Sequence, residues 1–234
     1  MEKIVISTTQ SDNLTAQLKC LYETFKQFKF GEQVEFDLSN LQWACPMLIL
    51  PLAAYIQKSG SIFVSHRNNK IESYLSNVHF PDGVQSMPEW QKEKNFIPIG
   101  FLQREDMNQN EKLTSCFTKM IYKIFERTQG IIDAVDYPIT ELVANIFEHS
   151  KGDNGYVFAQ FYPKKKYLDI CIVDTGRGLA KSYNEEVGFN LSDEQAIRKA
   201  LEGFSTKPNR HERGYGLNTS KKLICQGWVV VLFC

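Results

Sequence analysis

At positions 138–150 the chain reads PITELVANIFEHS, a run that gathers its apolar residues on one face only as a helix. Ile139, Leu142, Val143, Ile146 and Phe147 recur at i, i+3, i+4, i+7 and i+8, the spacing of an apolar helical stripe. Pro138 suits a first turn, where its missing N–H costs nothing, so the helix is expected to begin there. Glu141, Asn145 and Glu148, with His149 beside it, then share another face, because residues three and four apart are neighbours. Alone, such a face is what any solvated amphipathic helix shows. What lies downstream decides its meaning.

At 234 residues the chain can bury a core and form one large domain or two small ones. Its 27 Lys and Arg balance 27 Asp and Glu, so no net field draws it to nucleic acid or an anionic membrane. The longest apolar stretch, CPMLILPLAAYI at 45–56, is too short to span a bilayer and holds two prolines. The start, MEKIVISTTQ, has no basic segment followed by an apolar run, so no secretory signal is expected. Six cysteines, at 20, 45, 116, 171, 225 and 234, show no Cys-x-x-Cys pairing and no histidine at zinc spacing. Reduced, buried thiols and a cytoplasmic location are the expectation.

Residues 1–105 read as one alternating unit. VEFDLSNL (34–41) has a strand's composition and stops at Ser-Asn; MLILPLAAYIQKSG (47–60) looks helical, with Gly60 placed to end it. SIFVSH is again strand-like, and strand, helix and strand in that order predict a parallel pair with a crossover. IESYLSNV (71–78) reads as a second helix, and the segment 80–95 as loop. No Gly-rich phosphate loop occurs in this half.

From about Glu111 the pattern changes, within a second part that spans 106–234. Leu113, Phe117, Ile121, Ile124 and Phe125 recur at helical spacing in a helix that Gly130 is placed to close. GYVFAQFYP and KYLDICIVDTGRG alternate as two strands, joined through Pro163 and a lysine run. They predict an antiparallel hairpin with one buried face. The second strand runs into Asp174-Thr175-Gly176-Arg177-Gly178, where two glycines let a backbone pass close to a ligand and a carboxylate can accept from an amino group. Ser192 with Gln195 forms a capping box for a short helix stopping at Gly203. Gly214-Tyr215-Gly216 then precedes another helical pattern. A Gly-rich turn opening a helix offers N–H groups and the positive dipole end to phosphate. Lys207, Arg210 and Arg213 could neutralise phosphate charge, or simply form a solvated basic loop.

Taken in order, ELVANIFEHS, DTGRG and RGYGL resemble the N, G1 and G2 boxes of the GHKL superfamily, which spans gyrase, ninety-kilodalton-class heat-shock chaperones, histidine kinases and MutL proteins. The resemblance covers residues 113–227, about half the chain. It implies an α/β chain whose part 106–234 is a Bergerat fold, a two-layer sandwich of a mixed sheet with helices on one face, binding ATP and Mg²⁺. On that pattern Asn145 is the metal ligand, Asp174 binds the adenine amino group, and Gly176 and Gly178 line the base pocket. Lys207, Gly214, Tyr215, Gly216, Leu217 and Thr219 hold the nucleotide, Asn218 adds a hydrogen bond, and residues 179–213 form the lid. Glu141, one turn before Asn145, stands where hydrolytic members and anti-sigma kinases carry a catalytic carboxylate.

Residues 1–105 resemble STAS-like regulatory domains, on EFDLSNLQWACPMLILPLAAYI; Ala44-Cys45-Pro46 stands where phosphorylatable members carry an Asp-Ser-Ser-like turn. Together these imply a regulatory ATPase with a protein partner for the STAS-like half. The alternative is a serine kinase of the anti-sigma type acting on a STAS partner. A histidine kinase is not expected, because His79 in NVHFPDG lacks a dimerising helix and an adjacent acid. The family fold continues past its last helix with two strands, whereas CQGWVVVLFC supplies at most one. An exposed apolar edge there would invite association, a homodimer included.

Overall fold

The computed structural model describes residues 1–6, 13–65, 70–86, 94–103, 107–125, 131–148, 154–204 and 216–226. The chain is mixed α/β. It begins with β1 (Glu2–Val5), crosses over through α1 (Leu14–Phe25) to β2 (Val34–Asp37), and again through α2 (Pro46–Ser59) to β3 (Ile62–Val64). The three strands form a parallel sheet in the order β1-β2-β3, with Ile4 beside Phe36 and Phe36 beside Phe63. The predicted crossover from β2 to β3 is present.

Local chemistry accounts for these boundaries. Asn13 caps α1, its Oδ1 accepting from the Thr15 N–H at 2.9 Å. Pro46 opens α2, and Gly60 ends it with a φ of 70°, its N–H donating to the Ile56 carbonyl. Between them, ten α2 residues are buried, on every side of the helix, so it is a core element and not an amphipathic one. Phe36, Leu48, Leu52 and Ile4 meet in that core. The predicted second helix is α3 (Lys70–Asn77).

A second sheet runs β4-β5-β6, from β4 (Phe96–Gln103), β5 (Asn154–Tyr162) and β6 (Tyr167–Asp174). β5 and β6 are the expected hairpin, joined by a 3-10 turn at Pro163–Lys165 that Lys166 closes with a φ of 51°. The expectation of a single buried face needs correction. β5 lies between β4 and β6, and its residues 155–159 are buried without a break, so both faces are covered.

The chain divides into two compact units, Met1–Leu102 with Tyr156–Val173, and Gln103–Gly155 with Asp174–Cys234. The division therefore does not fall at one point near residue 105. β4 needs a hydrogen-bonded neighbour and finds it in β5, and Tyr156 and Phe158 join the same core as Ile4 and Phe36.

The second unit holds α4 (Met107–Phe125), α5 (Ile131–Glu148), α6 (Gly178–Val187), α7 (Asp193–Leu201) and α8 (Gly216–Gln226). In α4 the predicted stripe is buried at Leu113, Phe117 and Ile121. α5 begins seven residues before Pro138, which sits buried inside the helix. Apolar Ile131, Ile132 and Val135 carry the period upstream, and the helix continues although the proline removes one backbone bond. α5 packs against α4 and α8, α6 against α7, and α7 against α8. Gly130 lies outside the described residues. Among the described residues no helix is long and apolar enough to cross a membrane.

Candidate functional site

On α5 the predicted stripe is buried at Ile139 and Ile146 only; Leu142, Val143 and Phe147 are half-buried, as are Glu141 and Asn145 of the other face. Glu141 lies near the exposed Tyr137, whose phenol is pushed up chiefly by partial burial and further by that carboxylate. His149 lies outside the described residues.

Asp174 is the last residue of β6, and its side chain is exposed. Its Oδ1 accepts from the Gly176 N–H at 2.8 Å, an Asx turn that fixes the carboxylate and leaves Oδ2 open to a donor. Gly178 starts α6 with a φ of 74°, a conformation glycine takes without strain, and a β-carbon there would meet nothing. Between the glycines, the Arg177 side chain is 7% exposed. Its guanidinium pairs with Glu185 at 2.5 Å and Glu186 at 2.8 Å, tying the turn to the last part of α6. Sequence reasoning passed over this clamp, although a lone arginine followed at 8 and 9 residues by two glutamates was its visible trace.

The segment expected to be a lid is, over its described part, a packed helical pair. Tyr183, Ala196 and Ala200 form a small core with Leu179, Val187, Phe189 and Phe204. The Tyr183 hydroxyl donates to the Phe204 carbonyl at 2.6 Å. The predicted capping box is present, Ser192 Oγ accepting from the Gln195 N–H and Gln195 Oε1 from the Ser192 N–H.

α8 opens at Gly216, and Leu217, Asn218 and Thr219 are half-buried in its first turn. Asn218 Nδ2 donates to the Leu201 carbonyl at the end of α7, at 2.9 Å. Asn218 Oδ1 and Ser220 Oγ are buried and have no hydrogen-bond partner among the described residues. Lys207, Gly214 and Tyr215 lie outside the described residues. Of the expected site residues, then, Glu141 and Asn145 stand on a helix packed against the one that carries Leu217 and Thr219. Asp174, Gly176 and Gly178 form the turn into α6, linked to α8 through α7.

Among the described residues no three or more His, Cys, Asp or Glu gather as a metal site. The donor set on α5 is an amide and a carboxylate one turn apart. That suits a hard cation which keeps few protein ligands and takes its remaining oxygens from phosphate and water, as Mg²⁺ does. The residues present fit the implied group. No family model, no curated protein and no solved structure matches the chain.

Proposed function

We propose that the protein is an ATP-binding regulatory protein of the GHKL type, with a Bergerat-fold nucleotide module and a STAS-like interaction module. The observation that carries the reading is the packing of α5 on α8, which makes neighbours of the helices bearing the N-box and G2-box residues, far apart in the sequence. The buried Asn218 Oδ1 in the first turn of α8, without a partner among the described residues, adds to it, since buried acceptors are ordinarily satisfied and a ligand could supply the donor.

On this reading Asn145 would hold Mg²⁺ through its amide oxygen, and Asp174 would accept from the adenine amino group. Gly176 and Gly178 would let the base approach. The N–H groups at Gly216 and Leu217, with Thr219, would take phosphate oxygens at the positive end of α8. The cation, when bound, would neutralise triphosphate charge. Glu141 would orient a nucleophile and accept its proton, giving slow ATP hydrolysis when that nucleophile is water. The likeness of ELVANIFEHS to the anti-sigma kinase box favours a second reading, in which the nucleophile is a serine hydroxyl of a STAS partner. The first unit would serve protein contact, because Cys45, not a serine, caps α2 there.

Calorimetry with Mg·ATP on the full chain, beside Asn145→Ala and Asp174→Ala, tests the reading. Binding by the wild type that is lost in both variants supports it. A folded wild type that does not bind sinks it. Steady phosphate release from the protein alone then favours the ATPase, and transfer only to an added STAS protein favours the kinase.

A further inference from the structure

Asp169 occupies the one fully buried position of β6, whose other residues are half-buried or exposed. It is 8% exposed. Four titratable groups of the first unit lie close enough to feel its charge: the Cys45 thiol at the start of α2, the Tyr74 phenol of α3, Tyr162 at the end of β5, and Tyr167 on β6 itself. All four are neutral acids, and the Asp169 charge helps to hold their protons on. Cys45 is also held by Gln17, its Sγ lying 3.6 Å from Gln17 Oε1. The Tyr74 hydroxyl is buried and has no hydrogen-bond partner among the described residues. Asp169 has no ion pair with a described residue, so among the described residues its ionised form lies beside a thiol and phenols with no counter-charge.

We propose that Asp169, with Cys45, Tyr74, Tyr162 and Tyr167, is a proton-operated latch that seats β6 in the first unit when Asp169 is protonated and loosens it when Asp169 is ionised. Burial raises the Asp169 carboxyl to about 6, while burial pushes the Cys45 thiol and the Tyr167 phenol up to about 12. Asp169 is therefore the member of the cluster that changes charge near neutral pH. Because the folded value lies above the ordinary one near 4, the seating contribution is complete below about pH 4. It is lost as pH rises to about 6, with no further change above that. This slope opposes the usual acid weakening, and it is independent of nucleotide binding.

The test is amide hydrogen exchange on the full chain, read on peptides covering residues 167–174 and corrected for intrinsic exchange at each pH. In the wild type, protection of β6 should be about tenfold higher at pH 5.0 than at pH 7.5. Asp169→Asn should abolish that difference and be the better protected protein at pH 7.5, and Asp169→Leu should behave alike. Tyr74→Phe keeps the carboxylate and should keep the pH response. A wild type without the pH step, a step that survives Asp169→Asn, or loss of folding in both neutral variants at pH 7.5 would each overturn the proposal.

Discussion

A β-carbon placed on Gly155 would lie 2.6 Å from Ile146 Cδ1 and 2.8 Å from its Cγ2. β5 thus begins directly against α5, beside the residue that follows Asn145. Two atoms on different branches of Ile146 are met at once, so no single rotation of the side chain clears the space.

Gly155→Ala should accordingly destabilise the protein by about 1–3 kcal/mol, the usual cost of overpacking. Ile146→Ala removes both contacted atoms, and in the double variant the penalty of the alanine at 155 should fall below its value in the wild type. A double-mutant cycle on denaturant midpoints measures this, and strict additivity would show that the two positions do not compete for space.

The α6–α7 pair depends on Tyr183, which is buried apart from a hydroxyl donating to Phe204 O. Tyr183→Phe keeps the ring and removes that hydrogen bond, so a loss of about 1–2 kcal/mol is expected. Hydrogen exchange should place the loss on residues 178–204, and an unchanged pattern there would show that the bond contributes nothing.

Glu141 and Asn145 stand one turn apart on α5 yet should fail differently. On the proposed ATP-hydrolysing reading, Glu141→Gln keeps size and polarity but cannot take a proton, so turnover should fall by about 10²- to 10⁴-fold with Mg·ATP affinity nearly unchanged. Asn145→Ala should lose affinity itself. Equal loss of affinity in both variants would remove Glu141 from the role of base.

Local chemistry was the legible part of this fold. The Gly60 stop, the Ser192–Gln195 box and the β5–β6 hairpin rest on residues within a few positions of one another, and the parallel crossover on strand, helix and strand following in order. What stayed hidden depended on distant partners. β1, four residues long, pairs with β2, and β4, eight residues long, pairs with β5, a partner more than fifty positions away. The early start of α5 is hidden because a proline's preference for a first turn is a tendency that packing of a buried proline can override. For the site, motif order pointed to α5, the Asp174 turn and α8 as a set. The Arg177 clamp left only its spacing from Glu185 and Glu186 in the sequence, and the crowding of Ile146 on Gly155 could be seen only in three dimensions.

Asp37 should impose the opposite pH slope to Asp169. It ends β2 with Oδ2 2.8 Å from Lys3 Nζ and Oδ1 accepting from the Ser39 N–H at 2.9 Å, and these bonds, Lys3 first, hold its carboxyl well below the usual range. A folded value below the unfolded one adds stability above about pH 4 and loses it as pH falls further. Lys3→Met leaves the Ser39 bond but removes the cation, so the denaturant midpoint of the variant should lie below that of the wild type at pH 7. The two should converge towards pH 2, once Asp37 is protonated in the variant and increasingly so in the wild type. A gap that persists unchanged at pH 2 would mean that Lys3 acts through its packing against the sheet and not through the charge of Asp37.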